Sequence, residues 1–293
     1  MNAALQRAVA NAICDAMGEP FEDFKATPAG GGCINQTYRL EQGGRSFFLK
    51  LNTSAPPAMF AVEQRALQIM AETRSIRVPK PIARGESGGI TFLVLESLDL
   101  GRGIADWAKL GNDLAKLHRY TSSNGRHGWA ESNFIGSTPQ PNTWHEDWVS
   151  FWREERLGHQ LRLAASDGHR LKNAERLLNG LDSLLADHKP APSLLHGDLW
   201  GGNVAFTNDS VPVIYDPASY YGDRETDLAM TQLFGALPSS FYKAYHSAYP
   251  LPSGHEIRRD LYNLYHVLNH SHLFGGHYTS QAQTMIDRLI SQI

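Results

Sequence analysis

Residues 193–206 read SLLHGDLWGGNVAF, and residues 211–219 read VPVIYDPAS. Two aspartates and an asparagine are thereby set in a spacing that few folds can use. Asn203 follows Asp198 by five residues (203 − 198), and Asp216 follows it by eighteen (216 − 198). Loops that bring two carboxylates and an amide oxygen together commonly hold a metal-bound polyanion. Turn-forming aspartates beside a helix-capping asparagine would use the same residue types. The rest of the chain has to separate the two.

At 293 residues there is room for one large domain or two modest lobes. A formal net charge of −3 gives no electrostatic reason to expect a nucleic-acid or membrane partner. No apolar run approaches the roughly 20 residues that a bilayer crossing needs. The opening MNAALQRAVANAICDAMGEP has amphipathic helical spacing, not the charged start and solid apolar stretch of a secretory leader, so a cytoplasmic protein is expected. Two cysteines, Cys14 and Cys33, make neither a disulfide framework nor a zinc pattern.

The chain order is informative. Residues 1–17 predict a helix, ended by Gly18 and Pro20. Strand-like segments follow at 24–29, 34–41 and 45–52, the last two joined across Gln42-Gly43-Gly44, a hairpin signal. Residues 57–73 carry Phe60, Ala66, Leu67 and Met70 at helical spacing, and 90–97 reads as a buried strand. Beyond about residue 100 the pattern is mostly helical. An α+β chain is expected: a small antiparallel-sheet lobe over residues 1–97 that binds nucleotide, and a larger, mainly helical lobe over 98–293 for catalysis and substrate. The expected hinge is ESLDL, 96–100.

Phosphoryl transfer needs the spacing of the opening motif. Little covalent help is required, but the acceptor hydroxyl must be aligned and the phosphate oxygens neutralised. Asp198 then orients and deprotonates the hydroxyl, while Asn203 and Asp216 hold Mg²⁺ across the phosphates of ATP. Such a site also calls for a lysine on the third strand and a glutamate on the next helix. Lys50 lies inside the apolar FFLKL, where an unpaired charge is costly, and Glu63 follows thirteen residues on (63 − 50). A Lys50 that merely snorkels from an edge strand is the alternative. The turn AGGGCINQTY, 29–38, lets backbone amides approach an anion through Gly30, Gly31 and Gly32, although a plain hairpin turn reads the same way. The hinge residue Glu96 completes the expected nucleotide contacts. Cys33, at the tip of that turn, is open between a redox-sensitive thiol and a small residue filling a bend.

Trp144, Trp148 and Trp152 recur every four residues, as an apolar helical stripe would, suited to core packing or to a substrate lid. His266 and His270 are also four apart, but no third ligand near them supports a metal site. The chain after Asp216 has no phosphorylatable segment ending in an A-P-E-like anchor, which argues against protein-kinase activity.

LLHGDLWGGN, DPASYYGDRETDLAM, LNHSHLFGG and NFIGSTPQPNTWHEDWVSFWREERLGHQL together resemble the fructosamine kinase (ketosamine-3-kinase) family, within the aminoglycoside phosphotransferase-like branch of the protein kinase-like fold. The resemblance runs nearly end to end. It implies a bilobal kinase that phosphorylates the sugar 3-hydroxyl of a ketosamine with Mg²⁺ and ATP. The acceptor it implies is a small-molecule ketosamine or a glycated lysine on a protein, leading to deglycation, and the enzyme is a monomer or a homodimer. By the same resemblance Trp200 and His270 line the substrate cleft, though each could equally be a core residue. His196 and Asp227 brace the catalytic loop. Asp223 and Glu225 are open between facing a cationic amine and lying solvated at the surface. Other small-molecule kinases of the branch, and a nucleotide-binding pseudokinase, are the competing readings; retention of Lys50, Glu63, Asp198, Asn203 and Asp216 argues against the last.

Overall fold

The computed structural model describes residues 1–30, 35–54, 56, 58–101 and 103–293. It comprises two compact units: Met1–Asp106 with Ala205–Asp216, and Trp107–Val204 with Pro217–Ile293.

The first unit is built on a five-stranded antiparallel sheet. Helix α1 (Ala3–Met17) begins where the Asn2 side chain accepts the Leu5 N–H at 2.9 Å and ends at Gly18, whose φ of 72° suits a residue without Cβ. Its apolar face (Leu5, Val9, Ile13) joins Phe21, Leu40, Phe47, Leu49, Leu51, Phe92 and Val94 in one core. The strands are β1 (Lys25–Pro28), β2 (Gln36–Gln42), β3 (Arg45–Asn52), β4 (Pro81–Ser87) and β5 (Ile90–Glu96), in the order β1-β2-β3-β5-β4. Gln42 pairs with Arg45 across Gly43-Gly44, and φ values of 55° and 81° make this the two-residue turn that matches strand twist. β3 is therefore an interior strand, with β2 on one side and β5 on the other. Helix α2 (Ala58–Glu72) buries Met59, Phe60, Val62, Ala66, Leu67 and Met70. β4 lacks a clean alternation of apolar residues, and its Gly85 makes room for the Phe92 ring, which a Cβ would meet at 2.5 Å.

A later segment returns to this unit. The short paired strands Val204–Phe206 and Pro212–Ile214 lead to Asp216, and bridges from Arg77 to Val213 and from Leu100 to Thr207 tie them in.

The second unit is mainly helical: α3 (Trp107–Leu117), α4 (Trp148–Phe151), a π-helical turn (Trp152–Leu157), α5 (Gly158–Ser166), α6 (Ala174–Asn179), α7 (Leu181–Leu184), α8 (Glu225–Leu233), α9 (Ser239–Ala248), α10 (His255–Phe274) and α11 (His277–Ile290). α10 runs through the core, burying eleven of its residues against neighbours that include α8, α5 and α11. Two short strand pairs, Asn133–Ile135 with Thr138–Gln140 and Ser193–Leu194 with Tyr221–Gly222, hold the loops that matter below.

The tryptophan stripe is corrected in part. Trp148, Phe151 and Trp152 are buried, and Trp148 Nε1 donates to the Tyr262 hydroxyl at 2.9 Å. Trp144 lies before the helix and packs on Tyr221 instead, because Asp147 caps α4 through the Ser150 N–H and starts the helix only at Trp148. Among the described residues no helix is long and apolar enough to cross a membrane.

Candidate active site

In the first unit the Lys50 ammonium donates to Glu63 and to Asp216, each at 2.6 Å. Position explains both contacts: the pleat of β3 turns Lys50 off the Phe47–Leu49–Leu51 face, α2 supplies Glu63, and the return segment supplies Asp216. Lys50 is only 3% exposed, which disposes of the snorkelling alternative. Burial alone would push its ammonium down, but the Asp216 and Glu63 carboxylates outweigh it and raise it well above the usual lysine range. Burial also raises Glu63, an effect that Lys50 only partly offsets. The two directions are compatible, since one cation serves two anions and the more deeply buried carboxylate is the harder to ionise. Asp216 adopts φ 59°, a left-handed conformation that non-glycine residues seldom take and that clusters at functional sites.

The second unit holds the HGD loop. Asp227, 1% exposed, accepts the His196 N–H and the Gly197 N–H, each at 2.8 Å, and contacts the His118 ring at 3.1 Å. Burial works to raise this carboxyl, but the His118 hydrogen bond and charge, with His196 and the Gly197 N–H, bring it below its ordinary value. His196, fully buried, accepts the Asp198 N–H at Nδ1. Gly197 has φ 85°, and a Cβ there would meet the Ala218 carbonyl at 2.1 Å, so no other residue fits. Asn203 Nδ2 donates to the Asp198 carbonyl at 2.8 Å and to its carboxylate at 3.2 Å. That use of the nitrogen turns the amide oxygen away as the end offered to a ligand.

Trp200 is 37% exposed and folds over Gly202, where a Cβ would meet its ring at 2.3 Å. Its ring meets Phe234 at 5.9 Å, and Phe234 meets His270 at 4.6 Å. The structure thus brings together the two residues expected to line the substrate cleft, through Phe234, which the sequence did not single out. Burial lowers His270, whose Nδ1 bonds the His266 carbonyl oxygen at 2.8 Å.

Other expected residues are placed as follows. Gly30 is exposed with open space around it, while Gly31, Gly32 and Cys33 lie outside the described residues. The Glu96 carboxylate is engaged by Arg77 at 2.7 Å and by the Lys80 N–H at 2.6 Å. Asp223 and Glu225 neither face a substrate amine nor lie solvated: they are 1% and 3% exposed. Asp223 bonds His188 and the Tyr262 hydroxyl, and Glu225 pairs with Arg258 at 2.7 and 2.9 Å. Partners distant in sequence engage both, so no local pattern could have shown it.

Sequence reasoning also missed a carboxamide network. Asn133 donates to the Ser219 carbonyl at 2.7 Å, and Gln140 donates to the Ala218 carbonyl at 3.0 Å and to Asn133 Oδ1 at 2.7 Å. These amides hold the Pro217–Ser219 segment that follows Asp216, and the Ala218 N–H reaches the His196 carbonyl at 2.9 Å. The clustering of amides in NFIGSTPQPN, residues 133–142, was the one available signal.

The antiparallel sheet, its paired interior lysine and the braced HGD loop define a protein kinase-like fold. An aminoglycoside phosphotransferase, APH(4)-Ia, solved with AMP-PNP and hygromycin B, shares that fold at TM-score 0.62 and 15% identity, over 97% of this chain and 98% of its own. The fructosamine kinase family model matches residues 5–292, and the chain belongs to that family. A probable ketoamine kinase of Synechocystis is 46% identical over 96% of each chain. The chloroplastic protein-ribulosamine 3-kinase of Arabidopsis thaliana is 43% identical over 92% of this chain and 84% of its own. A crystal structure from Haemophilus somnus 129PT, provisionally named a fructosamine-3-kinase, superposes with a TM-score of 0.91 at 29% identity, covering 98% of this chain and 99% of that one.

Proposed function

We propose that this protein transfers the γ-phosphoryl group of ATP to the 3-hydroxyl of a ketosamine, a ribulosamine or fructosamine. The observation that carries the reading is the buried Lys50, held between Glu63 and Asp216 at 2.6 Å each in a chain of this family. The names of the relatives, ketoamine kinase and ribulosamine 3-kinase, supply the acceptor.

Lys50 is the contact for the nucleotide phosphates, and Glu63 keeps it extended. Asp198 receives the proton of the acceptor hydroxyl. The hydroxyl oxygen forms the new bond to the γ-phosphorus, the bond to the bridging oxygen breaks, and ADP leaves. The donor chemistry fits Mg²⁺: Asp216 offers a carboxylate, and Asn203, whose amide nitrogen is used on Asp198, offers an amide oxygen, both hard ligands. Asp216 and Asn203 would hold this ion, which would supply neutralisation of the phosphate oxygens. His196 and Asp227 fix the loop that aims Asp198, while Trp200 and His270 offer an aromatic surface to the sugar and its amine. A 3-phosphorylated ketosamine is unstable and releases its amine, so the outcome is deglycation of a small metabolite or of a protein lysine. The enzyme works in the cytoplasm and needs no nucleic-acid or membrane partner.

ADP release with Mg·ATP over a ribulosamine, a fructosamine, kanamycin, choline and no acceptor tests this. Turnover with the ketosamines alone, followed by loss of their amine linkage, is expected. Turnover with kanamycin or choline instead would overturn the substrate class. Bound ATP without turnover on any acceptor would overturn the enzyme.

A further inference from the structure

The second unit contains an open cavity of about 420 Å³ that none of the roles above uses. Arg259, Asp260 and Asn263 from α10 line it, with Gln281, Thr284 and Arg288 from α11. Two guanidinium groups share one carboxylate there: Arg259 approaches Asp260 at 3.1 and 3.2 Å, and Arg288 approaches it at 3.5 Å. Cations outnumber anions by one, and the Arg288 contact is long. Asn263 is 6% exposed, and its Oδ1 is buried without a hydrogen-bond partner.

The cavity adjoins the aromatic cluster along the same pair of helices. His270 packs on Tyr278 of α11 at 5.1 Å. Asn263 and Asp260 precede His270 on α10 by seven and ten residues (270 − 263, 270 − 260), and Gln281 and Arg288 follow Tyr278 on α11 by three and ten (281 − 278, 288 − 278). Those intervals keep each set on one helix face. Leu233, also in the cavity wall, directly precedes Phe234, which touches both Trp200 and His270.

We propose that this cavity is the subsite for the α-carboxylate and α-ammonium of a free lysine whose side-chain amine carries the sugar. The proposal rests on the ketosamine reading above. Seven residues of α10 span ~10 Å at ~1.5 Å each. From the sugar 3-carbon to the lysine α-carbon there are eight bonds of ~1.5 Å, which in an extended chain also cover ~10 Å. A sugar on the Trp200–His270 surface therefore puts the two charged groups of its amino acid beside Asn263 and the arginines. Arg288 and Arg259 match a carboxylate in fork geometry, while Asp260 accepts from an ammonium. A lysine inside a polypeptide carries amides at these positions and lacks both charges, so the subsite favours the free glycated amino acid.

The test compares Nε-ribulosyl-lysine with its Nα-acetyl, C-methylamide form and with a simple alkyl ribulosamine, using the full chain and Mg·ATP. The free amino acid is expected to show a KM at least about tenfold lower than the capped form, the worth of a charge-assisted hydrogen bond. Arg288→Gln and Arg259→Gln, each made separately, should bring that ratio towards one; the Arg288 side chain is 64% exposed, so folding is not at stake. Equal KM values in the wild type, or a ratio that survives both substitutions, overturn the subsite while the alkyl ribulosamine still turns over. If none of the three acceptors releases ADP, the ketosamine reading fails and the subsite falls with it.

Discussion

The lysine cluster of the first unit and the aspartate-braced loop of the second are both buried, yet they rest on different physics. Around Lys50 everything is charge: one ammonium lies between two carboxylates, and the set is one positive charge short of balance. Around Asp227 nearly everything is backbone geometry: two successive main-chain N–H groups and one imidazole saturate a single carboxylate. A charge-built cluster answers to whatever ion arrives, since Lys50 can share its protons with a phosphate and Asp216 can share its oxygens with a cation. A loop pinned through its main chain has one arrangement, set before any ligand comes. Phosphoryl transfer uses both kinds of part, because the polyanion has to be accommodated and the acceptor has to be aimed.

The largest effect expected is on the aimed part. Asp198→Asn keeps the contacts from Asn203 but removes the proposed proton acceptor, so kcat should fall by about 10²–10⁴-fold, the usual weight of a general base. ATP affinity, read by calorimetry, should stay within a few-fold. A variant with normal turnover would remove Asp198 from the chemistry. The charge-built cluster breaks differently. Lys50→Met strands two carboxylates and should cost about 3–5 kcal/mol of stability, whereas Glu63→Gln leaves the Lys50–Asp216 pair intact and should cost under about 1.5 kcal/mol. Urea unfolding of both variants checks this. Equal losses would mean that Lys50 is held by packing and that charge balance matters little.

Asp227→Asn sharpens the contrast from the other side. Only one oxygen remains to serve the His196 and Gly197 N–H groups, and the new NH₂ faces donors, so about 2–3 kcal/mol of stability should go with one donor left unsatisfied. Turnover should fall with ATP affinity unchanged. Unchanged kcat in a folded Asp227→Asn enzyme would show that the loop holds its aim without this brace.

These differences also explain what could be read from the sequence. Lys50 and Glu63 were legible because a charge inside FFLKL is anomalous and has to be answered nearby, and the answer falls at a fixed distance along the next helix. The Asp198–Asn203 contact was legible because the two residues are only five apart in one loop. The turn Gly43-Gly44 and the apolar pattern of β3 and β5 gave the core of the sheet, but β4, with its irregular burial, gave no such signal. His118 was invisible: one histidine at the end of an amphipathic helix, its partners Tyr245 and Asp227 more than a hundred residues away. Asp223 and Glu225 misled for the same reason, since nothing in YYGDRETDLAM announces that His188, Tyr262 and Arg258 will close over them. Trp144 misled by periodicity, which counts residues and cannot see where Asp147 starts the helix.

Two buried histidines give the most selective effect. Burial lowers His266 from 6.5 to about 3 and His127 from 6.5 to about 4, so both stay neutral in the folded chain at pH 5. The unfolded chain takes up those protons as the pH drops through 6.5, and only it does so until the folded values are reached. Stability is therefore full above about pH 6.5 and declines on acidification, by about 2 kcal/mol per histidine between pH 7 and pH 5. Asp223 and Asp227, lowered below 3.8 in the folded state, add nothing in this window, since their contributions are lost only at more acid pH. Glu63 and Glu225 are raised by burial and work in the opposite sense, so the total slope mixes signs. Substituting one histidine isolates its share. His266→Gln, compared with the wild type by urea unfolding at pH 7 and pH 5, should lose about 2 kcal/mol less over that interval. If the two proteins lose the same amount, the imidazole accepts a proton inside the fold. The unpartnered Nδ1 of His266 would then be the atom that takes it, and α10 would tolerate a charge at the centre of the helical unit.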